Sequence, residues 1–80
     1  MSARLTLYTR KDCCLCEEMK ASIRAAGEKN PVQVEEIDVD SSLELAERYG
    51  SEVPVLLING RKAFKYRVTV EELERRLRRE

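Results

Sequence analysis

The sequence predicts an α/β fold in which four strands form one mixed sheet flanked by helices, in the order strand, helix, strand, helix, strand, strand, helix. Three observations carry this. Two short runs, residues 5–8 and 55–58, have the alternating or continuous apolar character of strands. Three further segments repeat apolar residues every three to four positions, the period of one helix face. An Asn59-Gly60 pair between strand-like runs marks a two-residue type I′ hairpin turn. A chain of 80 residues can bury one core and not two, so residues 1–80 are expected to form a single domain.

Leu5-Thr6-Leu7-Tyr8 alternates with period two and ends at the polar run Thr9-Arg10-Lys11-Asp12, which makes it the first strand. Leu15, Met19, Ile23 and Ala26 then line one helix face up to Gly27, where a left-handed glycine cap is expected. After a loop to Pro31, Val32, Val34, Ile37 and Val39 form a second strand whose alternation is broken by Glu35-Glu36. Ser41 with Glu44 has capping-box spacing and opens a short helix through Leu45, Ala46 and Tyr49 to Gly50. Val55-Leu56-Leu57-Ile58 is continuously apolar and therefore central. The hairpin leads to a partner strand over 61–66. Thr69 and Glu72 repeat the capping-box spacing before the stripe Val70, Leu73, Leu77. A strand-helix-strand opening requires a parallel pair with a right-handed crossover, and the hairpin adds an antiparallel edge.

The 15 basic and 15 acidic side chains cancel, so the field that would draw in nucleic acid or an anionic membrane is missing. Arg75, Arg76, Arg78 and Arg79 alternate with Glu71, Glu72, Glu74 and Glu80, the pattern of a solvated helix face. The apolar run after Met1 is too short for a signal-peptide core, and no stretch has membrane-spanning length. The expectation is a protein of the reducing cytoplasm with no membrane partner. In that compartment clustered cysteines mean redox catalysis or metal binding more often than a structural disulfide.

The clustered residues are Cys13-Cys14-Leu15-Cys16, at the passage from the first strand into the first helix. Unpaired N–H groups and the positive end of the helix dipole favour an anion there. The thiolate, not the thiol, attacks a disulfide, so this position raises reactivity at neutral pH. Cys13, at the helix entrance, would attack a substrate disulfide; Cys16, one turn inside, would resolve the mixed disulfide. Lys11 and Arg10 would support the Cys13 thiolate and Asp12 would oppose it. Other readings of the same residues are apolar fillers, or a metal or iron-sulfur carrier. The second must find ligands beyond three cysteines in a chain without histidine. Cys14 is read as an intervening residue, with a third redox thiol or a regulatory site open to oxidation as the alternatives. Pro54 lacks the N–H that a central strand would use, so it marks the start of the strand at 55–58 or a bend before it.

Together, the strand into Tyr8-Thr9, Cys13-x-x-Cys16 at a helix start, Val53-Pro54 before an apolar strand and the Asn59-Gly60 hairpin resemble the glutaredoxin-like branch of the thioredoxin superfamily. Within it they look closest to the small bacterial glutaredoxin-like proteins. The resemblance implies a thioredoxin-like fold and a cis Val53–Pro54 bond lying against the active-site disulfide. It also makes Cys13 the nucleophile, Cys16 the resolving thiol, and Val53 and Pro54 the pair that positions an extended substrate. Three departures count against glutathione binding. Cys14-Leu15 stands where such glutaredoxins carry Pro-Tyr, Glu52 where they carry Thr, and Val68-Thr69-Val70 where they carry Gly-Gly.

The function expected is thiol-disulfide exchange with a protein disulfide as substrate and an unidentified reductant, requiring no cofactor and no more than a monomer. The alternatives are a metal or iron-sulfur carrier on the same cysteines and an interaction module that has kept the fold and lost the activity.

Overall fold

The computed structural model describes residues 2–80. The elements follow the expected order: β1 (Ala3–Thr9), α1 (Cys14–Gly27), β2 (Val32–Asp38), a 3₁₀ turn (Val39–Ser41), α2 (Leu43–Tyr49), β3 (Val55–Ile58), β4 (Arg61–Lys65) and α3 (Val70–Arg78). The sheet order is β2-β1-β3-β4. β1 runs parallel to β2 and antiparallel to β3, which pairs antiparallel with β4.

Alternation along β1 divides the molecule into layers. Leu5 and Leu7 point to one face, where they meet Met19, Ile23 and Ala26 of α1, Leu73 and Leu77 of α3, and Leu56 and Ile58 of β3. The register pairs Leu5 with Ile58 and Leu7 with Leu56, which keeps these side chains on one face. On the other face Tyr8 stacks on Tyr49 of α2, ring centroids 4.3 Å apart. None of the residues of α2 is fully buried, and Leu43 is 85% exposed. That short helix presents a half-buried stripe of Leu45, Ala46 and Tyr49, with Lys62 also over the Tyr49 ring.

Several local expectations shift. Gly27 is the last residue of α1 and takes no left-handed cap, since the cap residue, Glu28, is itself right-handed. The free carbonyls are met instead by the N–H groups of Glu28 on Ala25 and of Lys29 and Asn30 on Ala26, and by Asn30 Nδ2 on Ala26. A glycine fits because a Cβ there would stand 3.2 Å from Val32 Cγ2. The cap of α2 is Ser42, whose Oγ accepts from Leu45 N–H. Ser41 is taken up by the preceding 3₁₀ turn, where its hydroxyl donates to Asp38 O at 2.6 Å while Asp38 Oδ1 accepts from Asp40 N–H. That turn also ends β2 at Asp38, leaving Val39 fully buried outside the strand. The broken alternation at Glu35-Glu36 needs no bulge: β2 is an edge strand with an uninterrupted parallel register and little burial.

The hairpin is as expected, with Asn59 at φ 50° and Gly60 at φ 85°, the paired positive values of a type I′ turn. Asn59 also ties in distant chain, its Oδ1 accepting from Arg4 N–H and its Nδ2 donating to Glu80. β4 ends one residue earlier than expected, at Lys65, after a register shift opposite Leu56 and Leu57. Tyr66 follows at φ 68°, a conformation uncommon for any residue but glycine and costing about 1–3 kcal/mol in general.

α3 has nine residues, too short to stand alone in water, so it depends on Leu73 and Leu77 in the core and on its N-terminus. There the capping box is complete: Thr69 Oγ1 accepts from Glu72 N–H at 3.1 Å and Glu72 Oε1 accepts from Thr69 N–H at 3.0 Å. Thr69→Ala should lower stability by about 1 kcal/mol. A shift of the urea midpoint with unchanged slope would show it; an unmoved midpoint would mean that packing alone fixes the start of α3.

Candidate functional site

One end of the sheet gathers the chemistry, and the register explains why. Thr9 pairs with Asp38, Tyr8 with Val55, and Val55 with Lys65. The residues that follow β1, precede β3 and follow β4 are therefore at the same edge. These are the 10–13 loop with Cys13, the Val53-Pro54 pair, and Tyr66.

Arg10 anchors the first of these segments. Its Nε and Nη2 donate to the two carboxylate oxygens of Asp40 at 3.0 and 2.9 Å, and its Nη1 donates to Gly50 O at 3.1 Å. One guanidinium thus joins the end of β1 to the 3₁₀ turn and the end of α2. Arg10, expected from the sequence to support the Cys13 thiolate, has its guanidinium committed to a bidentate pair with Asp40, whose negative charge offsets its own. Lys11 and Asp12 form an exposed turn, with Asp12 at φ 56°. Lys11 makes no hydrogen bond or ion pair among the described residues, and its charge helps to lower the pKa of Asp40.

Cys13 is the N-cap of α1, extended at φ −107° and ψ 103°, and its Sγ accepts the N–H of Cys16 at 3.1 Å. The sulfurs of Cys13 and Cys16 are joined in a disulfide, with Cα atoms 5.2 Å apart. Cys16 is buried at 1% exposure on the same face as Met19 and Ile23, whereas Cys13 is half-buried. Cys14, between them, is a free and exposed thiol. Among the described residues no three Cys, Asp or Glu side chains converge as a metal site.

The Val53–Pro54 bond is cis, as the resemblance implied, and Pro54 is buried. Val53 is half-buried, and its N–H and C=O make no hydrogen bond to the described residues. Glu52, one residue earlier, is paired with Lys62 at 2.8 Å and Lys65 at 3.5 Å. The hydrogen bond from Lys62, with the charges of both lysines, holds its carboxyl below the usual carboxylate range. Beneath the site, buried Thr9 donates from Oγ1 to Glu36 Oε2 at 3.2 Å, and Lys20 reaches the same oxygen at 2.9 Å. Lys20 also bonds Glu17, linking the first turn of α1 to the edge strand.

This geometry belongs to a recognised group of proteins. The family described as Glutaredoxin-like domain (DUF836) matches residues 4–78. The chain belongs to that family. It is 31% identical over 78 residues to the Glutaredoxin-like protein YDR286C homolog of Dictyostelium discoideum, a match covering 90% of this chain and 72% of that protein. The solution structure of protein Ne2328 from Nitrosomonas europaea is similar at a TM-score of 0.82 and 30% identity, over 96% of this chain and 93% of that one. A mutant thioredoxin from Halobacterium salinarum superposes at a TM-score of 0.68 and 22% identity over 98% of this chain and 74% of that one, a likeness of fold alone. The fold of this glutaredoxin-like chain is thioredoxin-like, with a four-stranded mixed sheet and three helices. No helix among the described residues is long and apolar enough to cross a membrane.

In the glutaredoxin-like chain, the register sets Val53, Pro54 and the loop that leads to Cys13 at the same end of the sheet, Cys16 lies buried in the first turn of α1 bonded to Cys13, and Lys11 and Cys14 are exposed. Sequence reasoning missed Tyr66, which it took as the end of a strand. Nothing in composition marks a tyrosine for positive φ; only the short spacing between the hairpin and Thr69 bears on it. Also missed was the pairing of Arg10 with Asp40, thirty residues away.

The Arg10–Asp40 tie has a defined pH dependence. The hydrogen bond from Arg10, offset in part by burial, lowers the folded-state pKa of Asp40 below its ordinary value. A depressed carboxyl contributes stability that is present above the unfolded pKa, about 3.9, and lost as pH falls through the folded value. Asp40→Asn should therefore be less stable than wild type at pH 7, with the gap closing as the pH is taken below about 4. Paired thermal melts across pH 2–7 would measure this, and a gap of equal size at every pH would reassign the effect to shape instead of charge.

Proposed function

We propose that this protein is a thiol-disulfide oxidoreductase that reduces protein disulfides through Cys13 and Cys16. The observation that carries the reading is the asymmetry of the pair. Cys13 Sγ is at the helix entrance, accepting a backbone N–H, while Cys16 is buried one turn inside. With the disulfide reduced, that N–H and the helix end favour negative charge on Cys13 Sγ, and a thiolate is the attacking species.

The exchange proceeds in two displacements. The Cys13 thiolate attacks one sulfur of a substrate disulfide, breaking its S–S bond, forming a Cys13–substrate mixed disulfide and releasing the other substrate sulfur as thiolate. Cys16, after losing its proton, attacks Cys13 Sγ, which releases the remaining substrate thiolate and forms the Cys13–Cys16 bond. Two electrons have passed from the dithiol to the substrate. A second dithiol or two thiols must then reduce the protein, which fits work in a reducing compartment such as the cytoplasm. The unpaired peptide groups of Val53, beside cis Pro54, would receive an extended substrate segment by backbone hydrogen bonds.

Glutathione is not favoured as the bound substrate. At the start of α3 the Thr69 N–H is already bonded to the Glu72 carboxylate, which puts a negative charge where the carboxylate of a tripeptide would have to be held.

The reading is tested by equilibrating the reduced protein in glutathione and dithiothreitol redox buffers, with thiol trapping and intact mass. Two thiols should vanish together and map to Cys13 and Cys16, leaving Cys14 alkylated. Cys13→Ser should abolish turnover, and Cys16→Ser should accumulate the mixed disulfide. Full activity in Cys13→Ser, or no internal disulfide across the range, would sink the assignment.

A further inference from the structure

Tyr66 is held where a tyrosine is not expected to be. Its φ is 68°, and Arg67 N–H donates to Lys65 O at 2.8 Å across it. This three-residue turn with a positive central φ is a rare and strained form. Strain of this kind persists only where surrounding structure imposes it, and it concentrates at functional sites. What imposes it here is the bond from Tyr66 N–H to Pro54 O at 2.9 Å, which fixes the tyrosine to the cis proline. The side chain is not used by the core: Tyr66 is 43% exposed, and among the described residues it is one of three large apolar side chains left exposed, with Val34 and Leu43. Its ring has the ammonium of Lys65 5.4 Å from its centroid, and Lys65 is itself held by Glu52. The segment 52–54 therefore holds the backbone of Tyr66 and reaches its ring through Lys65, at the end of the sheet from which the chain leads to Cys13.

We propose that Tyr66 is a specificity-determining residue: an aromatic platform that selects protein segments carrying a large apolar or aromatic side chain next to the disulfide cysteine. This rests on the oxidoreductase reading above. A segment hydrogen-bonded to the free peptide groups of Val53 runs past Pro54, and the residue bonded to the Pro54 carbonyl presents its ring beside that path. An exposed ring gains from burial against another apolar group, and an aromatic pair adds to that gain.

The test uses single-turnover exchange with the pre-reduced full-length protein and three disulfides. Two are peptides with one cysteine held as a mixed disulfide with 2-mercaptoethanol, identical except that phenylalanine or alanine flanks the cysteine on both sides. The third is 2-hydroxyethyl disulfide. The quantity read is the ratio of second-order rate constants, phenylalanine over alanine peptide. Wild type should prefer the phenylalanine peptide by roughly two- to tenfold, the range of one aromatic contact. Tyr66→Gly, which suits the positive φ, should bring the ratio to about one, and Tyr66→Phe should keep the wild-type ratio. A wild-type ratio near one, or an unchanged ratio in Tyr66→Gly, would overturn the role of Tyr66 and leave the oxidoreductase reading standing. If wild type reduces 2-hydroxyethyl disulfide no faster than Cys13→Ser, the oxidoreductase reading falls and the proposal with it.

Discussion

The antiparallel register of β3 on β1, Leu5 to Ile58 and Tyr8 to Val55, sets both the core and the site. It aligns Leu5, Leu7, Leu56 and Ile58 into the layer on which α1 and α3 pack. It also brings Pro54, one residue ahead of β3, level with the end of β1, from which the chain turns toward Cys13. A slip of one residue would replace Leu56 and Ile58 by Val55 and Leu57 in the layer under α1 and α3, and carry Pro54 away from that end of the sheet. Core burial therefore fixes the position of the proline, and no separate interaction at the site has to do so.

The loop between Thr9 and α1 is short, polar and exposed, and would by itself be loosely held. Two networks restrain its flanks. Arg10 locks onto Asp40 and Gly50 on one side, while Thr9, Glu36 and Lys20 join β1, β2 and α1 on the other. Each of these ion pairs is at the surface, where such pairs contribute little to stability. Their effect is geometric: they define where β1 stops and therefore where the helix presenting Cys13 begins. The cysteine at that helix entrance then receives the N–H that a serine or aspartate would take at an ordinary N-cap.

What the sequence made legible was local. Alternation in 5–8, the Asn59-Gly60 turn, the Thr69–Glu72 box and the C-x-x-C at a strand-to-helix passage each depend on residues within a few positions, and the structure carries all four. The misreadings came from competition between neighbours. Ser41 and Glu44 had the spacing of a capping box, but Asp38 nucleates a 3₁₀ turn first and takes Ser41 with it, leaving Ser42 as the cap. Gly27 had the position of a left-handed cap, but Asn30 and the following N–H groups meet the helix carbonyls without one. The cis state of Val53–Pro54 was not legible from the residues themselves and came only with the resemblance. Arg10 with Asp40 and Tyr66 with Pro54 were illegible because each joins residues brought together by the finished sheet.

In the proposed function, chemistry and recognition fall to different parts of the chain. The dithiol is built from four consecutive residues and one helix end, so it needs little beyond the start of α1. Recognition would be assembled from the approach to β3 and the exit from β4, where Lys65 links Glu52 to the ring of Tyr66 and the Pro54 carbonyl accepts the Tyr66 N–H. On the proposed function, a change in this second group would alter which disulfide is presented without touching the sulfur that attacks it, so one exchange reaction could be kept while the choice of partner is set at β3 and β4. The strain concentrated at Tyr66, where the core gains nothing from it, is consistent with that division.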